Sequence, residues 1–245
     1  MKSLLMLCAC LSLSPLAWAA GNPVEYKVDG ETFEGYYISP KSSAPLVYMI
    51  HDWDGLTDYE IKRAHMLADL GYAVFAADMF GKGIRPTETA DRQRLTGALY
   101  QDRARMRRLL EGGFAAAKAQ GANVENAVSM GYCFGGAVVL EYARSGKDLK
   151  GFVTFHGGLA KPADQDYSQT KGQLLILHGT ADQAVSMEQF AQLAMDLEKN
   201  QVAHEMITYS GAPHAFTVFD TPRYRKDADE KSWARFVEYL AATLK

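Results

Sequence analysis

The chain is 245 residues long, with 48% hydrophobic and 22% charged residues, enough for one large α/β domain and short for two. Its 26 basic and 29 acidic residues leave a net charge of −3, which argues against nucleic acid and against an anionic membrane surface as partners. No long window is rich in Pro, Gly or Ser and no segment repeats at a fixed period, so neither a linker nor a solenoid is expected.

Residues 1–20 read as a signal peptide. Lys2 gives a short positive start, Leu4 to Leu13 is almost wholly apolar, and Ala17-Trp18-Ala19 has the small-x-small cleavage pattern. The apolar run is shorter than the ~20 residues that span a bilayer, and Pro15 breaks it. Cleavage is expected after Ala19 or Ala20, leaving residues 21–245 as a single domain in the periplasm or outside the cell, without a membrane span. Processing as a lipoprotein at Leu7-Cys8-Ala9-Cys10 is the other route the sequence offers. Loss of the leader removes Lys2, Cys8 and Cys10. The remaining Cys133 has no cysteine to pair with, and is either a buried small hydrophobe or a working thiol.

In chain order, Val24 to Val28 and Thr32 to Ile38 read as strands around the Asp29-Gly30 turn, a hairpin signal. Leu46 to Ile50 is a continuous apolar run, suited to a strand buried on both faces. A helix is expected from about Asp58, with Thr57 and Glu60 in capping-box spacing and Ile61, Ala64, Leu67 and Ala68 as its apolar stripe. Gly71 ends it, and Tyr72 to Ala77 returns as a buried strand. One long helix is expected over Thr89 to Gln120, with Leu95, Leu99, Met106, Leu109 and Leu110 inward and Arg103, Arg105, Arg107 and Arg108 on a solvated outer face. Strands at Ala127 to Met130, Gly151 to Phe155, Gln173 to His178 and His204 to Tyr209 follow. They alternate with helices at Phe134 to Arg144 and Met187 to Glu198, and a closing helix sets Trp233, Phe236, Val237 and Leu240 at i, i+3, i+4 and i+7. The alternation implies an α/β fold: a mainly parallel central sheet, an antiparallel N-terminal edge hairpin, and helices on both faces. Ligands of such sheets bind beyond the carboxyl ends of the strands, so the residues just after each buried strand are the candidates for chemistry.

Gly131-Tyr132-Cys133-Phe134-Gly135-Gly136 joins a strand to a helix in the manner of a nucleophile elbow, G-x-S-x-G, with cysteine in the serine position. The flanking glycines let strand and helix approach, and the helix start offers N–H groups and a dipole that favour a thiolate. A thiol needs a base, and the base an orienter. His214, in Pro213-His214-Ala215-Phe216, and Asp182, in Gly179-Thr180-Ala181-Asp182, follow the last two strands. The chain order nucleophile, acid, histidine is that of α/β-hydrolases. Taken singly, Asp182 also fits a helix cap and His214 a loop histidine. His51, His156 and His178 stand at strand ends too, but no close ligand pair accompanies them. They read as structural, and no metal is expected.

Together with His51-Asp52-Trp53-Asp54-Gly55 after the third strand, these motifs resemble the dienelactone hydrolase family, over about Val24 to Leu244. The resemblance implies an α/β-hydrolase fold, no cofactor, and a small ester or lactone as substrate. It also implies Cys133 as nucleophile, His214 as base and Asp182 as orienter, with the backbone N–H groups of Phe134 and Trp53 as the oxyanion hole. Asp52 stands where family members often carry a glutamate that touches the resting thiol; it is one methylene shorter. Of the two arginines with which the namesake enzymes hold a substrate carboxylate, Lys82 occupies the first position and Val218 the second. A non-catalytic ligand-binding module on a retained hydrolase scaffold is the rival reading. A redox role for Cys133 lacks a resolving cysteine in the mature chain.

Overall fold

The computed structural model describes residues 20–244; apart from Ala20, the expected leader lies outside the described residues. Eight strands alternate with helices: β1 (Asn22–Val28), β2 (Glu31–Ile38), β3 (Pro45–Ile50), α1 (Asp58–Asp69), β4 (Ala73–Ala77), α2 (Thr89–Gln101), α3 (Arg103–Ala119) and β5 (Asn123–Tyr132). The second half runs α4 (Phe134–Arg144), β6 (Gly151–Phe155), β7 (Gln173–Gly179), α5 (Met187–Lys199), β8 (His204–Tyr209) and α6 (Lys226–Thr243). One sheet forms, in the order β1-β2-β4-β3-β5-β6-β7-β8. Its hairpin closes as Asp29-Gly30 predicts, because both residues take positive φ, 52° and 83°, as a primed turn requires. The β1-β2 and β2-β4 pairings are antiparallel, and every pairing from β3 to β8 is parallel.

The continuous apolar runs have a direct cause in this arrangement. Along β3, Leu46, Tyr48 and Ile50 enter the apolar layer under α3 and α4, while Val47 and Met49 enter the layer under α1 and α6. With helices on both faces, both side-chain sets of a strand must be apolar. Among the described residues no helix is long and apolar enough to cross a membrane.

Two expectations for the middle of the chain are corrected. The single helix expected over Thr89 to Gln120 is two, because Asp102 leaves helical geometry at φ −114°, ψ 78° and its carboxylate caps α3 by accepting the Arg105 N–H at 2.8 Å. α3 then packs on the sheet and buries Met106, Leu109, Leu110 and Phe114, whereas α2 buries only Thr96 and Leu99. The arginines do lie on the outer face, half-buried or exposed, but they are paired rather than free in solvent. Arg105 pairs with Glu31 and Arg108 with Asp29, each at 2.8 Å, tying α3 to the hairpin. Arg103, Arg107 and Arg144 converge on Glu141 at 3.3, 2.6 and 3.0 Å. Glu141 is wholly buried. Burial alone would raise its pKa, but the hydrogen bonds and charges of Arg144 and Arg107 hold it below the usual value. A carboxylate cannot be buried cheaply without such partners.

Candidate active site

The elbow is built by close approach. A Cβ on Gly131 would come within 2.4 Å of the Gly135 backbone and one on Gly135 within 2.3 Å of the Ile50 carbonyl, so the turn closes only with glycine at both positions. Cys133 between them is forced to φ 48°, ψ −111°, a region that side-chain-bearing residues rarely adopt. The turn presents Sγ at the start of α4, beyond the carboxyl end of β5.

His214 and Asp182 arrive from the loops after β8 and β7. His214 Nδ1 lies 2.7 Å from Asp182 Oδ2, and His214 Nε2 lies 3.0 Å from Cys133 Sγ. Burial alone would raise the Asp182 pKa. The hydrogen bond and charge of His214, with N–H groups of Val185 and Ala184 donating at 2.9 and 2.8 Å, hold it below the ordinary value instead. An ionised Asp182 fixes Nδ1 as the protonated nitrogen and leaves Nε2 to accept a proton from the thiol. The remaining strand-end histidines serve the scaffold. His51 Nε2 accepts the Met79 N–H at 3.0 Å, His178 Nε2 faces the Val185 carbonyl at 3.1 Å, and His156 Nε2 meets Thr217 Oγ1 at 2.8 Å.

The loop after β3 brings the opposing charge. Asp52 is buried and lines the same cavity as the thiol, where its charge acts on Sγ despite its shorter side chain. Burial, with the charge of Asp54, pushes the Asp52 carboxyl up to about 6. Burial, then the Asp52 charge and hydrogen bond, push the Cys133 thiol well above its usual value, and the Phe134 N–H only partly offsets this. The thiolate favoured by the helix start is therefore outweighed by desolvation, and the resting group is a thiol. Asp52 Oδ1 also accepts the Trp53 N–H at 2.5 Å, so that donor is occupied at rest. Behind it, Glu60 completes the expected capping box with Thr57 and extends it, accepting the Asp52 N–H at 3.1 Å.

Cys133, His214, Asp52, Trp53 and Phe134 share a cavity of about 630 Å³. Its walls are mostly apolar, with Tyr100, Ala181, Ala184, Val185, Pro213 and Ala215 among them. Lys82 is not brought there. The loop after β4 is bonded to the edge hairpin through Lys82 N–H to the Thr32 carbonyl at 2.9 Å, and the ammonium pairs with Glu25 and Glu34. Val218 does not line the cavity either; Arg223 does, from an exposed position. Sequence patterns alone do not single out Thr96 and Tyr100, which reach the cavity from α2, or Gln183 from the β7 loop. The i, i+4 spacing of Thr96 and Tyr100 is visible, but which way α2 faces depends on the break at Asp102.

The model of the dienelactone hydrolase family matches residues 33–244 of the chain. The chain belongs to that family. It is accordingly a hydrolase of dienelactone hydrolase type. A solved dienelactone hydrolase-like promiscuous phosphotriesterase from metagenomic libraries superposes with a TM-score of 0.87 at 28% identity, over 94% of this chain and 100% of that one. Protein usf of Aquifex pyrophilus is 28% identical over 90% of this chain and 99% of its own length. A protein of Escherichia coli (strain K12), provisionally named a carboxymethylenebutenolidase, is 24% identical over 86% of this chain and 83% of its own.

Proposed function

We propose that the chain is an exported enzyme that cleaves small esters or lactones by acyl transfer to Cys133. The observation that carries this reading is the unbroken line from Asp182 through His214 to Sγ, with separations of 2.7 and 3.0 Å, opening on an apolar cavity. His214 Nε2 takes the thiol proton as Sγ attacks the substrate carbonyl carbon. The carbonyl oxygen gathers negative charge against the Phe134 N–H, and against the Trp53 N–H once Asp52 releases it. Collapse breaks the carbon–oxygen bond, and the departing alkoxide receives the proton from His214. A water then gives a proton to His214 and adds to the thioester, freeing the acid and the thiol. No step needs a metal or cofactor.

Turnover of aryl esters and lactones by the mature chain tests the reading. Cys133→Ala is expected to abolish it and His214→Ala nearly so, since members of one catalytic unit fail together. Wild-type rates in folded Cys133→Ala would overturn the mechanism. Export is read by intact mass: a mature terminus at Ala20 or Gly21 is expected, and retained Met1 in cell-extracted protein rejects it.

A further inference from the structure

Tyr100 lies near the end of α2, two residues before the break at Asp102. Its ring meets Phe134 edge-on with centroids 5.6 Å apart. Its hydroxyl lies 4.0 Å from where a Cβ on Gly158 would sit. Both neighbours line the cavity that holds Cys133.

The ring is held from behind by the arginine cluster. The Arg103 guanidinium stacks on it at 4.9 Å, and Arg103 Nε donates to the Tyr100 carbonyl at 2.9 Å. Arg103 is itself pinned to the buried Glu141, which Arg107 and Arg144 also grip. A lone surface arginine would lose rotamer freedom in bracing a ring this way; one tied to a buried carboxylate has already lost it. The break at Asp102 makes this possible, because it sets Arg103 at the start of a new helix while α2 turns toward the strand ends.

The hydroxyl has no partner in this arrangement. Among the described residues no protein group hydrogen-bonds to it. The residue is partly open to solvent, yet desolvation raises its pKa, so it stays a donor through the neutral range, in the same cavity as the reacting thiol. The neighbours it touches, the Phe134 ring and Gly158, bring no side-chain acceptor, and of the polar groups elsewhere on the cavity wall Asp52 Oδ1 is already engaged by the Trp53 N–H and the Thr96 hydroxyl by the Arg92 carbonyl. A substrate that covers it must therefore bring one or leave a buried donor unpaired. The carbonyl oxygen is already served by backbone donors, which leaves the phenol for a second oxygen.

We propose that the Tyr100 hydroxyl is a substrate hydrogen-bond donor that selects acyl groups with an oxygen acceptor beside the scissile carbonyl. These are 2-alkoxy and 2-hydroxy esters and lactones, favoured over hydrocarbon acyl chains of the same length. This selectivity rests on Cys133 being the hydrolytic nucleophile.

The test compares p-nitrophenyl methoxyacetate with p-nitrophenyl butyrate, which share a leaving group and a chain length, in wild type and Tyr100→Phe. Phenylalanine keeps the ring contacts with Phe134 and Arg103 and removes only the hydroxyl. Rates are corrected for the two esters' hydrolysis by hydroxide. The variant is expected to lose about five- to twentyfold in kcat/KM on the methoxyacetate and less than about twofold on the butyrate. Equal losses on both esters, or a methoxyacetate preference that survives Tyr100→Phe, overturn the inference while leaving the hydrolase reading intact. A wild-type chain that turns over neither ester overturns the hydrolase reading, and this inference with it.

Discussion

The loops after β3 and β7 each place a buried aspartate beside the same thiol–imidazole pair, and their carboxyls are driven in opposite directions. Asp182 meets the His214 ring and two backbone N–H groups, and stays ionised below the ordinary range. Asp52 meets burial and the charge of Asp54, and rises to about 6. Both are nearly inaccessible at 8% and 7% exposure, but Asp52 is the more deeply enclosed of the two. Enclosure and the partners each loop supplies together decide the outcome, so one residue type becomes a fixed anion on one side and a readily discharged one on the other.

That contrast breaks most severely at Asp182. Asp182→Asn would present an amide N–H to Nδ1, turning the imidazole to the tautomer that cannot accept the thiol proton. A fall in kcat of about 10²- to 10⁴-fold is expected, smaller than for Cys133→Ala. A variant within a few-fold of wild type would mean that the β7 loop does not set the tautomer.

A second break tests the substrate side. An anionic substrate would meet the carboxylates of the β3 loop, while the cation at the rim, Arg223, is exposed and worth only about 0–1 kcal/mol. For one lactone as the free carboxylate and as its methyl ester, kcat/KM is expected to favour the ester by roughly tenfold, about 1.4 kcal/mol. A tenfold preference for the carboxylate would show that Arg223 dominates.

Asp52→Asn gives the smallest effects and two readouts. Removing the charge that opposes the thiolate should raise the alkylation rate of Cys133 by iodoacetamide about three- to tenfold at neutral pH. Stability follows with a definite sign. The folded-state pKa lies above the unfolded one, so wild type incurs an ionisation penalty that grows as pH rises from about 4 to about 6. The variant escapes it, and should gain about 1–3 kcal/mol over wild type by urea titration at pH 7.5 and little at pH 4. An equal gain at both pH values would locate the effect elsewhere.

The parts of this site that rest on local pattern were legible in the sequence. The Gly131–Gly136 turn, the strand-end positions of Asp182 and His214, and the exact span of α4 all follow from spacing and periodicity. What escaped depends on partners far along the chain. Arg107 and Arg108 meet acids 34 and 79 positions away, so a charge run that looks solvated in the sequence is paired in the fold. The break at Asp102 is hidden because both halves keep helical spacing; only the docking of α3 on the sheet separates them. The resemblance implies a substrate-binding position for Lys82, yet its backbone hydrogen bond to Thr32 and its ion pairs with Glu25 and Glu34 hold it at the hairpin. Position in an alignment carries residue identity, and the loop's own hydrogen bonds decide where that residue points.

The backbone at Cys133, with φ 48°, would suit glycine better than any residue with a β-carbon. Holding a side chain there costs on the order of 1–3 kcal/mol, against a typical net stability of about 5–15 kcal/mol for a whole domain. Selection for turnover and selection for persistence thus pull against each other at this one position. A lineage released from the need to hydrolyse would gain stability by drifting to glycine, while the elbow, the imidazole and the apolar cavity stayed in place. Descendants that kept the cavity for binding alone would carry the record of that release at position 133.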